Sequence, residues 1–199
     1  MNKDLVVCLP TRDGTTQTIT TSTIYEVALK YLKRTPTFII GEAGNIPRSR
    51  NVCSGMLRAK YPGRTHAWAL WLDSDIQIRT EFAMPLARNI EDAERTKKNF
   101  VVNYVQRDHQ NVLMRQRSLH GAEHYTDEEL MELPPGAEIP MAGLGCVYMY
   151  TPLNYTWHAD VAGEDVHFLL DNPDIHLYYA PNIQAIHKRN VALMPPKTW

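Results

Sequence analysis

Residues 67–78 read Ala-Trp-Ala-Leu-Trp-Leu-Asp-Ser-Asp-Ile-Gln-Ile. Ala67–Leu72 is apolar on both faces of an extended chain, which predicts a central strand covered by helices on each side. The run passes straight into two carboxylates, Asp73 and Asp75, with Ser74 between them. Side chains two apart at the end of a strand point the same way, so the two acids are expected side by side. Adjacent carboxylates repel unless a cation lies between them. Hard oxygen ligands suit Mg2+ or Mn2+, ions that keep waters and also bind substrate phosphates. The stretch therefore reads as a metal–diphosphate site. A solvated turn is the plainer alternative, because Asp is common where strands end.

Outward from this strand the pattern alternates. Leu5–Pro10 and Thr37–Ile40 read as strands, each ending in a loop (Pro10-Thr11-Arg12-Asp13 and Gly41-Glu42-Ala43). Thr21–Lys33, Pro47–Arg58 and Glu81–Thr96 carry apolar residues at helical spacing, and Pro47 suits a first helical turn. Phe100–Val105 reads as a fourth strand. The stretch 107–140 is polar and broken by Pro134-Pro135-Gly136; it reads as an excursion outside the core, with a capping box at Thr126–Glu129 opening at most two helical turns. Gly143–Thr151 is expected to be extended, Gly163–Leu170 a short helix, Ile175–Tyr179 a strand, and the tail from Pro181 irregular. Alternating strands and helices imply an α/β fold with a mainly parallel sheet and helices on both faces, followed by an irregular half. Ligands in such sheets bind beyond the carboxyl ends of the strands, so the three strand-end loops are expected to crowd one edge.

Composition narrows the function classes. The chain has 199 residues, 44% of them hydrophobic, and a net charge of −1. One domain with a sizeable core fits that length. No block of like charge implies a nucleic-acid partner. No run of 18 apolar residues predicts a membrane span, and the N-terminus has too short an apolar stretch for a signal peptide. Cys8, Cys53 and Cys146 lie apart, mostly within apolar runs, and read as reduced core residues of a cytoplasmic protein. A dinucleotide fingerprint and a GxxxxGK[ST] phosphate loop are both absent.

Four further clusters carry chemistry. Gly163-Glu164-Asp165 opens an apolar helix; the acids either cap its dipole or supply a general base, Asp165. His187 precedes Lys188 and Arg189; it is a core histidine or the nitrogen ligand of an Asp/His metal site, with the two cations placed to neutralise a diphosphate. Pro47-Arg48-Ser49-Arg50-Asn51 at a helix start offers guanidinium forks to an anion, or is an ordinary first turn. Gly143-Leu144-Gly145 permits close backbone approach to a ligand, or marks a bulge.

Taken in order, Pro10-Thr11-Arg12, Arg50-Asn51, Asp73-Ser74-Asp75, Gly143–Gly145, Gly163-Glu164-Asp165 and His187 resemble the motif series of the GT-A glycosyltransferases, family-two-like members above all, over roughly residues 4–190. The resemblance implies one GT-A catalytic domain over residues 1–199, with a nucleotide-sugar-binding half at 1–105 and an acceptor and catalytic half at 106–199. It implies a nucleoside-diphosphate sugar donor (UDP- or GDP-linked), Mn2+ or Mg2+, and an acceptor hydroxyl on a glycan, protein or small molecule. Pro10, Thr11 and Arg12 would form the first nucleotide loop, Glu42 would hold the base, and Arg50 and Asn51 would contact the nucleotide. Asp73 and Ser74 would lie at the ribose or sugar, with Asp73 also counted among the metal-binding residues. Asp75 and His187 would ligate it, and Lys188 and Arg189 would lie at the diphosphate. Gly143, Leu144 and Gly145 would lie beside donor and acceptor, and Asp165, with Glu164, would be the catalytic acid pair of an inverting enzyme. Small stand-alone domains of this kind occur in viruses and phages, which suggests action in a host cytoplasm. A nucleotidyltransferase of related architecture and an inactive nucleotide-sugar-binding module are the rival readings. The chain is short for the family, and residues 107–140, where acceptor determinants usually lie, match no motif.

Overall fold

The computed structural model describes residues 4–12, 14, 18–106, 110–116, 123–158 and 163–188. Among them the core is a seven-stranded mixed sheet in the order β2-β1-β3-β9-β5-β10-β7. β1 (Asp4–Thr11) pairs in parallel with β2 (Thr35–Glu42) and β3 (His66–Leu72). β9 (Cys146–Pro152) then runs antiparallel to both β3 and β5 (Asn99–Val101). β10 (Leu177–Tyr179) is parallel to β5, and β7 (Glu138–Ile139) closes the far edge antiparallel to β10. The α/β class expected from the alternation is therefore present. The central strand of the row, however, is a late antiparallel insertion that no βαβ pattern announces.

β3 is buried along nearly its whole length, as its two-faced apolar run requires. In-register pairing puts Cys8 beside Trp71, and the next residues, Leu9 and Leu72, face the other way. Helix α2 (Ile46–Lys60) covers the Cys8 face so closely that a Cβ on Gly41 of β2 would meet the Ser49 carbonyl and Cys53. That helix starts where the residues dictate: the Asn45 side chain caps the Arg48 N–H at 2.9 Å and Pro47 sits in the first turn. Helix α1 (Thr18–Tyr25), continued as wider π-helical turns over Glu26–Leu32, covers the other face, where Thr20 and Ile24 line a narrow cleft with Leu9, Phe38 and Leu72. α3 (Ala83–Thr96) packs beside it. Glu94 of α3 takes a forked pair of bonds from Arg34 (both 2.7 Å) and one from the Tyr148 hydroxyl of β9 (2.7 Å), tying helix, sheet and the end of the π-helical turns together.

Several expectations need correction. The strand from Phe100 ends at Val101, after which the chain leaves the sheet and carries Tyr104 inward. Residues 107–140 are not wholly outside the core. β6 (Leu113–Met114) pairs with β8 (Met141–Ala142), β7 joins the main sheet, and Val112, Leu113, Leu130 and Ile139 are buried. Short apolar pairs inside a polar stretch lack the length that periodicity needs. The expected two-turn helix is there as α4 (Asp127–Glu132), with both capping-box bonds formed. The tail is not irregular throughout: β11 (Ala185–His187) pairs antiparallel with β4 (Ile76–Ile78). The three cysteines are buried and unpaired. No described helix is long and apolar enough to cross a membrane.

Arg34 is buried and Glu94 largely so, and removing one partner strands the other's charge. Arg34→Met is expected to lower unfolding free energy by about 3 kcal/mol in urea denaturation. The double variant Arg34→Met/Glu94→Leu is expected to recover more than half of that loss.

Candidate functional site

The topology brings four distant segments to one edge. β1, β2 and β3 run in the same direction, so Thr11, Glu42 and Asp73 emerge together. β9 is antiparallel and its first residue, Cys146, pairs with Leu72, the last residue of β3. The glycine segment ahead of β9 therefore arrives at that same edge. The Asp73 N–H donates to the Gly145 carbonyl at 2.8 Å. The fourth segment is the start of α5 (Glu164–Asp171), where Gly163 adopts φ 77°, a left-handed conformation that glycine reaches without strain.

Arg50 of α2 stands at the centre, with its side chain only 1% exposed. Its Nη2 donates to both Asp73 oxygens at 3.2 Å, and its Nη1 donates to Asp165 Oδ1 and to Glu164 Oε1, the latter at 3.4 Å. The guanidinium lies over the Trp157 ring at 4.9 Å. Trp157 is itself stacked on Phe168 of α5 at 4.4 Å, and its indole N–H donates to Ser54 of α2. Asp165 Oδ2 accepts the Leu144 N–H at 2.9 Å, so both of its oxygens are positioned.

Burial and charge shift the titrations within this cluster. Burial opposes the Arg50 charge, but Asp165, Asp73 and Glu164 together hold its pKa above the ordinary arginine value. Burial pushes Asp73 up to about 6; Arg50 pulls it down, and the charges of Asp165 and Asp75 push it up further. Glu164 is raised by burial and by adjacent Asp165. Three carboxylates against one guanidinium leave the cluster with a formal charge of −2 when all are ionised.

Asp73 and Asp75 do not lie side by side as the strand-end argument expects. The chain turns there, Ile76 N–H donating to the Asp73 carbonyl at 3.0 Å, and the two side chains diverge. Asp73 goes to Arg50, whereas Asp75 Oδ2 is 3.0 Å from His187 Nε2. Divergence relieves the repulsion without a cation between the two. The second couple is set by β4 and β11, whose register places His187 opposite Ile76. Thr20 and Thr23 of α1 clip β4 in place through the Ile76 and Ile78 carbonyls at 3.0 and 2.8 Å.

The other expected residues are placed as follows. Pro10 and Thr11 are buried at the end of β1, the Thr11 carbonyl accepting from Ser49 Oγ at 2.6 Å. Arg12 and Glu42 are exposed on the rim. Asn51 spends its side chain on the main chain of Trp157, donating at 2.9 Å and accepting at 2.7 Å, so it braces the site from behind. Ser74 lines the cleft under α1. The Lys188 N–H donates to the Asp75 carbonyl at 2.7 Å and its side chain is exposed. Arg189 lies outside the described residues. Among the described residues no three His, Cys, Asp or Glu side chains are gathered as metal ligands. A divalent ion held by Asp75 and His187 would complete its shell with waters and substrate oxygens, which is the habit of such ions.

Two central residues carry no motif, Trp157 and Tyr104. The Tyr104 ring is 5.9 Å from the His187 ring, and its hydroxyl occupies the space beside both glycines. A Cβ on Gly145 would collide with that hydroxyl and come within 3.0 Å of Asp73 Oδ2; one on Gly143 would collide with Val112. The glycines are thus required by protein atoms already present. Burial and the nearby Asp73 and Asp165 charges hold the Tyr104 pKa well above the usual value, so it stays a neutral hydroxyl.

Gly145→Ala is expected to destabilise by about 2 kcal/mol through overpacking, and Tyr104→Phe/Gly145→Ala to regain part of the loss, both measured by chemical denaturation. In chelator-treated protein, Asp73 has a second signature. Its folded pKa is raised, so its contribution to stability is complete below the unfolded value near 3.8 and is lost as pH rises through about 6. Asp73→Asn is expected to remove that slope, about 2 kcal/mol between pH 4 and 6.5.

No protein-family model and no curated protein matches the chain.

Proposed function

We propose that the chain is a metal-dependent glycosyltransferase that moves a sugar from a UDP- or GDP-linked donor to an acceptor hydroxyl with inversion. The observation that carries this reading is the convergence of Asp73, Glu164 and Asp165 on Arg50 beside the Asp75–His187 couple, at the carboxyl ends of parallel strands. Acids more than 85 positions apart in the chain meet there around one buried cation.

The charge balance supports a cation cofactor. A cluster with more carboxylates than cations repels a diphosphate, and a divalent ion would offset that repulsion. Asp75 and His187 are the residues that would hold Mn2+ or Mg2+, with donor oxygens and water completing the shell. When bound, the ion supplies Lewis-acid stabilisation of the departing nucleoside diphosphate. The rest is the work of the chain. Asp165 takes the proton of the acceptor hydroxyl; Arg50 and the Leu144 N–H hold its carboxylate in one orientation. Asp73, anchored to Arg50, faces the donor from the end of β3. Arg12, exposed on the rim and close enough for its charge to act on Glu164, and Lys188, which follows His187, would meet the diphosphate.

With Mn2+ and a set of UDP- and GDP-sugars, the protein is expected to release nucleoside diphosphate. Release of pyrophosphate instead would make it a nucleotidyltransferase, and binding without either product a non-catalytic module. Asp75→Ala is expected to abolish the metal-dependent release. Asp165→Asn is expected to slow transfer about 10²–10⁴-fold. A product with retained anomeric configuration would remove Asp165 from the role of base.

A further inference from the structure

The first half of α5 belongs to the acid cluster; its remaining exposed surface is assigned to nothing so far. Glu164, His167 and Asp171 stand at positions i, i+3 and i+7 and so share one stripe of the helix. Two residues of the preceding segment flank that stripe. His158 Nε2 lies 2.9 Å from Asp171 Oδ2, and the Tyr155 hydroxyl donates to the same oxygen at 2.9 Å. The His158 and His167 rings are 4.9 Å apart, and Tyr155 is held edge-on against Phe168 at 4.9 Å. The side chains of His158 and Asp171 are close to half exposed. The His167 ring is half-buried on the same stripe.

We propose that this stripe is the acceptor site and that the acceptor is an oligosaccharide of at least two linked sugars. The proposal rests on the glycosyl-transfer reading above. The stripe alternates flat rings with donors and acceptors, and a sugar presents the matching surface, an apolar C–H face rimmed by hydroxyls. It starts at Glu164, which neighbours the proposed base and bonds the same Arg50, and runs outward along the helix. From Glu164 to Asp171 the stripe rises about 10 Å, the span of two linked sugar rings. A single sugar at the base would leave His158 and Asp171 untouched.

The test uses full-length protein with 13C-labelled histidine, titrated in separate samples with cellobiose, lactose, maltose and N,N′-diacetylchitobiose, and with the methyl glycosides of their component sugars. At least one disaccharide is expected to shift the His158 and His167 ring signals saturably and more strongly than its methyl glycosides. His167→Ala is expected to weaken that binding about five- to tenfold. No shift at these two rings with any disaccharide overturns the proposal, as does an equal shift from a methyl glycoside. A shift produced only by a serine- and threonine-rich peptide also overturns it, in favour of a protein acceptor. A parallel thermal-shift titration with UDP and GDP in the presence of Mg2+ separates the two readings. Nucleotide binding without disaccharide binding defeats the acceptor assignment alone, and disaccharide binding without nucleotide binding defeats the transferase reading.

Discussion

The site depends on one buried guanidinium. Arg50 reaches from the second helix into a space bounded by the end of β3 and the start of α5, and it bonds carboxylates from both. A buried ion cluster is a poor device for stability, because desolvation of the charges offsets most of their attraction, and apolar residues of similar volume serve as well or better. Its use is to hold charge in a fixed arrangement where the surrounding dielectric is low. One guanidinium cannot neutralise three carboxylates. The excess negative charge is carried as raised carboxyl pKa values at Asp73 and Glu164.

That guanidinium needs walls, and they come from residues without an obvious chemical signature. Trp157 lies under Arg50, stacks on Phe168, and bonds Ser54 and Asn51. It therefore joins α2 to α5 and fixes both partners of the Arg50–Asp165 contact. On the opposite side Tyr104 fills the corner between the glycine segment and His187. Its hydroxyl is the reason that residue 145 has no side chain. The antiparallel strand β9 is what makes the corner possible. A parallel strand in that position would deliver its carboxyl end to the site, and the glycines ahead of Cys146 would lie at the other end of the sheet.

How far the sequence foretold this follows from the length of each signal. β1, β3, α2, α3 and the capping box of α4 rest on apolar runs or on paired capping residues and form where those signals lie, whereas β2 runs past the expected Thr37–Ile40 at both ends, through Gly41 to Glu42. β6, β7, β8 and β11 are two or three residues long, too short for any period, and are held by pairing with distant strands. The site divides in the same way. Asp73, Asp75, Asp165 and His187 stand out because charges interrupt apolar runs. Arg50 and Asn51 stand out as well, but their partners do not. A helical Arg directed at solvent and one directed at three half-buried acids have the same local sequence. Tyr104 and Trp157 read as ordinary core aromatics, and only the fold reveals what they touch.

The two aspartates after β3 also show how far spacing alone places neighbouring side chains. Side chains two apart in a strand share a face only while the strand continues. Here it stops at Leu72, and the turn that brings the Ile76 N–H back to the Asp73 carbonyl sends the acids to different partners. Asp73 becomes part of the Arg50 cluster, and Asp75 becomes half of a couple whose other member arrives more than a hundred residues later. The two remain near enough for the charge of Asp75 to raise the Asp73 pKa. A cation at Asp75 and His187 would reverse that influence and favour ionised Asp73, so the two halves of the site are linked through charge even though they share no hydrogen bond.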